Sequence, residues 1–359
     1  VHIHPRIFTN SNSLLTTSSQ RAFLTNQLMS ALLTPLSRSD IKHCAQLTYI
    51  CGGISMAENQ AGITALITAY ARAYHATHDS PIIFDDSLAD QMYTPEEHIQ
   101  FNQSLAGMLG LIDPALAAAN PDPATALAWV MQLMHEPVTL SRSRYTEDCL
   151  QEAVRQGTRQ YVILGAGFDT FAFRRPDLVA QLQVFELDHP VTQAMKRERI
   201  AGPGWKVPAQ LHFVPVDFTR EDLTAALQHS SYDPRQVSFF SWLGVSYYLP
   251  RDAVFTTLRT IAGIAPPGST IIFDYMDADS FIPARAAKRT QLMHDIARQV
   301  GEPMKTGFNP QALAGEMGGL GLALQENLSP ADIEARYFQG RTDRLHAFPH
   351  IHLAKVVIP

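Results

Sequence analysis

The ten residues from 161 to 170, YVILGAGFDT, constrain the fold more than any other stretch of the chain. A run of apolar, strand-forming residues stops at Gly165, Ala166 and Gly167, and a helical pattern follows. Missing Cβ atoms let a backbone approach a ligand, and the start of a helix offers free N–H groups. The stretch therefore predicts a ligand-binding turn, with a tight turn that binds nothing as the plainer alternative. The dinucleotide fingerprint needs a third glycine where Thr170 stands, which makes an NAD(P)-dependent oxidoreductase the weaker functional alternative.

Short apolar strands and helical segments alternate along the C-terminal half. The first five predicted strands are 160–164, 183–187, 211–216, 237–241 and 269–275. Helical patterns lie between them, for example over 190–200 and 251–264. This alternation predicts a parallel sheet of the α/β class, whose ligand site lies at the carboxyl ends of the strands. Two later strands, 322–328 and 352–358, have no long helix between them and predict an antiparallel closing pair.

Amphipathic helices are predicted upstream of this sheet. The segment from Ser55 to Tyr74 has an apolar helical stripe, and Ser55 and Glu58 have the spacing of a capping box. Further helices are expected over 95–111, 123–135 and 144–156. Residues 1–40 are polar and serine-rich, and we expect a disordered tail there, with a transit peptide as the alternative.

Composition narrows the function classes. Of the 359 residues, 46% are hydrophobic and 17% are charged, and no apolar run reaches the roughly 18 residues that a membrane span needs. A net charge of −6 without a cluster of Lys and Arg argues against a nucleic-acid partner. Cys44, Cys51 and Cys149 lack C-x-x-C spacing and the histidines lack ligand spacing. We therefore expect no disulfide framework, no metal site and a reducing, cytoplasmic location.

Polar residues at the ends of predicted strands are candidate binding groups. Glu186 and Asp188, in FELDHP, end the second strand, where a carboxylate can accept hydrogen bonds from ribose hydroxyls or simply face solvent. Asp217 and Phe218 follow the third strand. The acid and the ring could hold an adenine, or Asp217 could cap the next helix.

Two arginines, Arg142 and Arg144 in SRSRY, precede the glycine turn at a predicted helix start. They could bind a ligand carboxylate in bidentate fashion, or they could form a solvated basic turn. The sequence alone favours the solvated basic turn.

Several motifs follow one another in a recognisable order: SMAENQAGITALITAYARA, IIFDDSLA, RSRYTED, VILGAGFDTFAFR, VFELDHPVTQAMKRERI, VPVDF, WLGVSYYLP and PGSTIIFDY. In this order they resemble the leucine carboxyl methyltransferase family of S-adenosylmethionine (SAM) dependent enzymes, and within it a bacterial branch of small-molecule and polyketide O-methyltransferases. The resemblance runs from about Ser55 to Tyr275. It implies a class I SAM-dependent methyltransferase fold, with a Rossmann-like seven-stranded sheet and helices on both faces. It also implies an N-terminal helical cap over 41–150 and a core over 151–359 with a cap insertion at about 276–310.

Positions that match the family's motifs acquire expected SAM contacts. These are Gly165, Ala166 and Gly167 for the methionine part, Arg142 with its neighbour Arg144 for the carboxylate, Asp188 beside Glu186 for the ribose, and Asp217 with Phe218 for the adenine. The family usually has Trp-Glu-Gly where this chain has Trp242, Leu243 and Gly244, so an acid expected near the cofactor's amino group is absent. Another group, such as Glu58 or a backbone carbonyl, would then contact that ammonium. A methyltransferase fold kept as a non-catalytic binding protein is the corresponding alternative.

The implied reaction is methyl transfer to an oxygen of a small molecule, and the type of oxygen decides whether a base is needed. A carboxylate, with a pKa of about 4, is already ionised at neutral pH. A hydroxyl needs a proton acceptor within hydrogen-bond reach, for which His189 and Asp274 are the candidates. Tyr247 and Tyr248 could orient the acceptor or simply pack beneath the next helix. The sequence leaves the oligomeric state open.

Overall fold

The structure, a computed structural model, describes residues 56–218, 221–299 and 301–359, with side chains from residue 64 onward. The expected tail over 1–40, the capping residue Ser55 and the side chain of Glu58 lie outside the described residues. The helical region predicted upstream of the sheet is described from Met56.

One sheet of seven strands forms the centre of the described region. The strands are β1 Gln160–Leu164, β2 Gln183–Asp188, β3 Leu211–Pro215, β4 Ser238–Trp242, β5 Thr270–Met276, β6 Ala323–Leu328 and β7 Ile351–Val357. Their order across the sheet is β3-β2-β1-β4-β5-β7-β6. The first five strands run parallel, and β7 runs antiparallel to both of its neighbours. The class I methyltransferase sheet and its antiparallel closing pair are thereby confirmed.

The central strands β1, β4 and β5 are buried along their whole length. Uniform burial explains why these strands are largely apolar rather than regularly alternating, since helices cover both faces of a parallel sheet. The strand order reverses between β1 and β4, and an open α/β sheet binds ligands at the carboxyl ends of the strands beside such a reversal. The turns that follow Leu164 and Trp242 therefore border the expected site.

Helices cover the sheet and extend beyond it. The longer ones are α1 Met56–His78, α2 Pro95–Ala106, α3 Pro123–Val130, α4 Glu136–Arg155, α5 Pro190–Ala201, α6 Arg251–Ile264 and α7 Lys288–Gln299. Shorter helical segments are Ser87–Met92, Leu109–Ile112, Pro114–Ala118, Phe171–Arg174, Pro176–Val179, Leu223–Gln228, Ser246–Tyr248, Ala278–Phe281, Leu313–Gly318, Pro330–Ile333 and Glu334–Phe338. Helix α1 packs against both α4 and α5. Among the described helices, none is both long and apolar enough to cross a membrane.

A π-helical turn over Met131–His135 joins α3 to α4 in one continuous helical run. The sequence predicts two helices with a break between residues 135 and 144, and this break does not exist. A proline inside a helix usually interrupts it. Pro137, however, lies directly after the π-helical turn, where the N–H of Glu136 already bonds to the carbonyl of Met131 and the regular i→i−4 pattern is interrupted. Arg142 therefore lies in the interior of a helix. The prediction that it lies at a helix start is wrong.

Candidate active site

A cavity of about 820 Å³ lies at the carboxyl ends of β1 and β4, bordered by α1 and by the segment 301–305. Its lining contains two sets of residues of different chemistry. The first set, which we call the sheet half, includes Arg142, Gly165, Ala166, Gly167, Asp188, Leu243 and Gly244. The second set, the apolar half, includes Met108, Met134, Val138, Met293, Ile296 and Met304. The hydroxyl of Thr64 on α1 donates a hydrogen bond of 2.6 Å to Glu302, which fastens α1 to the segment 301–305.

The glycine turn lines the sheet half with a backbone that other residues could not adopt easily. Gly165 and Gly167 have φ angles of +73° and +50°, in the left-handed region that favours glycine. At Gly165 and Ala166, the N–H groups are not free. The N–H groups of Gly165 and Ala166 donate to the carbonyl of Leu187 at 2.9 and 3.1 Å, because the turn folds back against β2. The turn therefore offers the cavity close approach rather than hydrogen-bond donors at these two residues.

Asp188 closes the same turn from the end of β2. One carboxylate oxygen accepts from the N–H of Gly167 at 2.5 Å and the other from its neighbour His189 at 2.6 Å. Burial raises the pKa of Asp188, although these backbone hydrogen bonds favour its ionised form. Its side chain lines the cavity, so a carboxylate is held at the expected position by groups that leave further lone pairs for a ligand.

Three other predicted binding residues lie away from the cavity. Glu186 is fully buried, and its carboxylate forms an ion pair of 2.5 Å with Lys196 of α5. Burial raises the pKa of Glu186 to about 7. Asp217 and Phe218 follow β3 and are not among the lining residues, and the Phe218 side chain is 42% exposed. The structure thus brings Asp188 to the cavity but not Glu186, Asp217 or Phe218.

Arg142 reaches the cavity from the interior of α4, where it is buried. Its Nη1 donates to Asp274 at 3.1 Å and to the hydroxyl of Tyr247 at 3.2 Å. Its Nε and Nη2 make no hydrogen bond to any described residue. Arg144, two residues on, is exposed and pairs with Asp148 at 2.9 Å. The two arginines therefore do not act together, and only Arg142 borders the cavity.

Gly244, after β4, is required by the position of Arg142. A Cβ atom at Gly244 would lie 2.7 Å from Nη1 of Arg142, and the φ angle of this glycine is +72°. Its N–H donates to Asp274 at 2.7 Å, so the aspartate holds both the arginine and the turn. Leu243, at the position where the sequence resemblance implies an acid, lines the cavity beside it. Asp274 itself is fully buried and does not line the cavity.

The two tyrosines after β4 both line the cavity, with ring centroids 4.8 Å apart. Burial raises the pKa of Tyr247 and of Tyr248 above the ordinary value, so both hydroxyls keep their protons. His189, by contrast, caps α5, where its Nδ1 accepts from the N–H of Val191 at 3.3 Å. Of the four predicted catalytic residues, the structure places the tyrosines at the cavity and places His189 and Asp274 outside its lining.

A second arginine bordering the cavity, Arg72 on α1, is one that sequence reasoning missed. Its Nε pairs with buried Asp86 at 2.7 Å, and its Nη2 donates to the carbonyl of Phe168 at 2.8 Å. Asp86 also accepts from the hydroxyl of Thr170 at 2.5 Å. Thr170, which replaces the third glycine of a dinucleotide fingerprint, thus fastens the glycine turn to the helical region. No sequence motif marks these contacts, because the partners lie far apart along the chain.

His135, the last residue of the π-helical turn, also lines the cavity and was not predicted. Burial lowers the pKa of His135 to about 4. Its Nε2 is shielded from solvent and has no hydrogen-bond partner among the described residues. A π-helical turn is frequent at functional sites but had no recognisable signal in this sequence.

One group in the described ranges has the spacing of metal ligands: His75, Asp79 and Glu136. His75 Nδ1 lies 2.7 Å from Asp79, and its Nε2 accepts from the N–H of Ile83 at 2.8 Å. A neutral imidazole that accepts at Nε2 carries its proton on Nδ1, so no lone pair of this ring points at the carboxylates. Hydrogen bonding therefore accounts for His75 and Asp79. Both carboxylate oxygens of Glu136 are buried without a hydrogen-bond partner among the described residues, and burial raises the pKa of this carboxyl group.

Comparison with known proteins gives a consistent result. The family model of leucine carboxyl methyltransferase matches residues 65–262. YktD of Bacillus subtilis (strain 168), provisionally named as a SAM-dependent methyltransferase, is 39% identical over 84% of this chain and 99% of its own length. A protein of Mycobacterium avium (strain 104) with the same provisional name is 32% identical over 67% of this chain and 74% of its own. A solved structure from Streptomyces avermitilis, described as a DUF574 family protein, is 15% identical, with a TM-score of 0.48 over 82% of this chain and 97% of its own.

Proposed function

Because the chain belongs to the leucine carboxyl methyltransferase family, and is thereby a SAM-dependent methyltransferase, we propose that it transfers the methyl group to an oxygen of a small molecule. The observation that carries the proposal is the composition of one cavity. Its sheet half has a glycine turn, a carboxylate and a guanidinium, and its apolar half has a lining of methionine and aliphatic side chains. A polar cofactor and an apolar acceptor would meet where the two halves join.

The residues of the sheet half fit SAM by their chemistry. The glycine turn leaves room for the methionine part, and Asp188 keeps lone pairs for ribose hydroxyls. Nε and Nη2 of Arg142 have no hydrogen-bond partner among the described residues and can donate to a carboxylate. When bound, SAM supplies a methyl group attached to a positively charged sulfur. Tyr247 and Asp274 hold Arg142 in place, so its guanidinium does not need to be ordered when the cofactor binds.

The protein's contribution to this reaction is positioning. Methyl transfer to oxygen is an in-line displacement, and holding two reactants at about 3 Å can lower a barrier by about 7–11 kcal/mol in the most favourable intramolecular cases. The hydrogen bond between Thr64 and Glu302 holds α1 beside the segment 301–305 at the border of this cavity. Glu186, Asp217, Phe218 and Arg144 lie outside the cavity lining and add no support. We also propose a cytoplasmic location, for which the free thiol of Cys149 is the only support in the described part of the chain.

Leu243 favours a second candidate, a methyltransferase fold that has lost catalysis and keeps a binding role. The side chain lines the sheet half where the family has an acid, so one ligand of the cofactor's ammonium is missing. In this case SAM would bind weakly or not at all. The NAD(P)-dependent alternative has less support. Thr170 stands where the dinucleotide fingerprint needs its third glycine, and its buried side chain donates a hydrogen bond to Asp86.

Thermal unfolding with saturating ligands tests the proposal. A ligand at 100 times its Kd adds about 2.7 kcal/mol to the free energy of unfolding, which a melting curve resolves. We expect SAM and S-adenosylhomocysteine (SAH) to raise Tm and NAD to leave it unchanged. Transfer of a tritiated methyl group from SAM to a panel of carboxylic acids and hydroxyl compounds then identifies the acceptor oxygen.

Two variants make this test specific. Asp188→Asn keeps a side chain that can accept from Gly167 but lowers the charge at the ribose position, and we expect the SAH-induced shift in Tm to shrink. Glu221→Ala removes an exposed acid and should keep the full shift. A protein that shows no shift with SAM or SAH would leave the non-catalytic candidate standing, and transfer to nitrogen or carbon acceptors alone would contradict O-methylation.

A further inference from the structure

The apolar half of the cavity indicates what kind of acceptor it takes. Four of its residues are methionines, whose unbranched side chains adapt to ligands of different shape: Met108, Met134, Met293 and Met304. Val138 and Ile296 complete an apolar surface beside the tyrosine rings. A lining of this kind favours an acceptor with an apolar skeleton, because each polar group that it buries needs a partner.

The charged groups that border the cavity are mostly satisfied by the protein. Arg72 pairs with Asp86, and Arg142 pairs with Asp274 on one side and is expected to hold the cofactor on the other. Glu302 accepts from Thr64, and Lys305 is exposed at the cavity border. Within the described lining, the apolar half therefore offers no buried cation to an acceptor carboxylate. A carboxylate placed there would lose its hydrating water molecules, and no buried cation would compensate for that loss.

His135 supplies the polar group that an uncharged acceptor would need. It lines the cavity next to Met134, and its buried ring is uncharged at neutral pH, as its lowered pKa requires. A neutral imidazole has one nitrogen that carries a proton and one that has a free lone pair. Because Nε2 of His135 has no hydrogen-bond partner among the described residues, no contact at this atom fixes which nitrogen has the lone pair. Because Nε2 is shielded from solvent and His135 lines the cavity, we expect a ligand to contact this ring through Nδ1.

We propose that the methyl acceptor is an apolar, uncharged molecule with a hydroxyl group, and that His135 receives the proton of that hydroxyl during transfer. The inference rests on the proposed function and narrows it. A bond forms between the acceptor oxygen and the methyl carbon while the bond from that carbon to sulfur breaks, and its electron pair stays on sulfur. The hydroxyl proton passes to Nδ1 of His135 and then to water.

The weak basicity of His135 suits the timing of this step. An imidazole with a pKa of about 4 does not ionise a free phenol, whose pKa is about 10. As the new bond to carbon forms, however, the oxygen becomes positively charged and its proton becomes strongly acidic. A weak base is then sufficient, and the same low pKa returns the proton to solvent after the reaction. Tyr247 and Tyr248, which stay protonated, are placed to donate hydrogen bonds and not to accept this proton.

Matched acceptor pairs test the proposal on the full chain. Each pair has a hydroxyl and a carboxylic acid on one apolar skeleton: 2-naphthol with 2-naphthoic acid, 4-phenylphenol with 4-phenylbenzoic acid, and 1-decanol with decanoic acid. We expect tritiated methyl transfer from SAM to hydroxyl members and not to their acids. Preference for the acids, or no transfer to any hydroxyl member, would overturn the inference.

Two histidine variants separate catalysis from folding. His135→Gln should lower kcat with the hydroxyl acceptor by about 10²- to 10⁴-fold, the range for loss of a general base, and leave the Kd for SAH unchanged. His294→Gln is the matched control, because its Nε2 is also buried without a partner and burial also lowers its pKa, yet it does not line the cavity. It should retain kcat within about twofold. Equal kcat values for His135→Gln and the unmodified protein would reject His135 as the proton acceptor.

An acceptor that is already ionised gives a further readout. A nitro-substituted phenol, which has lost its proton at the assay pH, should lose much less rate in His135→Gln than an unsubstituted phenol loses. Equal losses for both phenols would indicate that His135 only shapes the cavity. If the unmodified protein binds neither SAM nor SAH, the proposed function itself fails. If it binds SAM but prefers carboxylates, only the present inference fails.

Discussion

Two buried arginine–aspartate pairs border the cavity, and they differ in how completely the protein uses the arginine. Arg72 donates from Nε to Asp86, from Nη2 to Phe168 and more weakly from Nη1 to Thr68 at 3.4 Å. Arg142 donates from Nη1 alone, to Asp274 and Tyr247. Every nitrogen of the first guanidinium has a protein partner, whereas two nitrogens of the second have none among the described residues.

This difference indicates that the Arg72–Asp86 pair stabilises the fold, whereas the Arg142–Asp274 pair is suited to bind an anionic ligand. A buried guanidinium whose donors are all satisfied by protein has little left for a ligand, and it fixes the elements that it joins. A buried guanidinium with unused donors at a cavity is held ready for an anion, since its orientation is already set. We therefore propose that Arg72 stabilises the glycine turn and that Arg142 binds the cofactor.

The largest effect is expected at Asp86, which is fully buried. Asp86→Ala leaves the charge of Arg72 unpaired, and breaking a buried pair costs about 3–5 kcal/mol. Urea unfolding should show this loss in the free energy of unfolding. Asp85→Ala, at the exposed neighbouring position, should cost less than about 0.5 kcal/mol. Similar losses in the two variants would contradict a structural role for the Arg72 pair.

Replacing each arginine with lysine tests whether Arg142, and not Arg72, contributes to SAH binding. Lysine keeps the positive charge but lacks the planar set of donors. Arg142→Lys should weaken SAH binding by about 10- to 150-fold, which corresponds to about 1.5–3 kcal/mol for a hydrogen bond to a charged group. Isothermal titration calorimetry measures this change in Kd. Arg72→Lys should lower Tm and leave the Kd for SAH within about threefold, and the reverse pattern would exchange the two assignments.

Gly244→Ala tests whether the turn after β4 positions Arg142. Non-glycine residues in the left-handed region lose about 1–2 kcal/mol, and here the added Cβ also meets the guanidinium. The matched control is Gly268→Ala, at φ +88°, where the nearest atom to an added Cβ is 3.8 Å away. Both variants should lose stability on urea unfolding. Only Gly244→Ala should also weaken SAH binding, and unchanged binding would mean that Arg142 adapts without cost.

The smallest effect is expected at Thr170. Thr170→Val removes one hydrogen bond to Asp86 and should lower the free energy of unfolding by about 1 kcal/mol, with no change in the Kd for SAH. Thr170→Ser keeps the hydroxyl and serves as the control. A large loss of SAH affinity in the valine variant would show that the turn is part of the binding site and not only supported by it.

Part of the fold can be predicted from the sequence, because β1 is an apolar run that stops at a glycine and β2 is one that stops at an acidic residue. The predicted strand 160–164 and the predicted helix 251–264 coincide with β1 and α6. Gly165 and Asp188 were expected at one edge because each follows a neighbouring parallel strand, and both line the cavity. Local pattern and one topological rule are sufficient for these elements.

The ion pairs could not be predicted in the same way. Asp274 lies 132 positions after Arg142, and Thr170 lies 84 positions after Asp86. Such contacts depend on how helices pack on the sheet, which no short motif records. On the sequence alone, Asp274 is one of two candidate proton acceptors for a hydroxyl substrate. Its carboxylate instead holds Arg142 and Gly244, and this function is visible only once the partners are known.

The π-helical turn before α4 affects the direction in which the side chains of α4 point. Each residue of an α-helix rotates the chain by about 100°, so deleting one residue from Met131–His135 would turn the downstream face by that angle. Arg142 would swing away from Asp274 and from the cofactor, although its own surroundings in the sequence stayed the same. The π-helical turn therefore sets the rotation of α4 relative to α3, so that the two parts of one continuous helical run can each pack in their own layer of the protein. Length changes in this turn should be far less tolerated than substitutions within it.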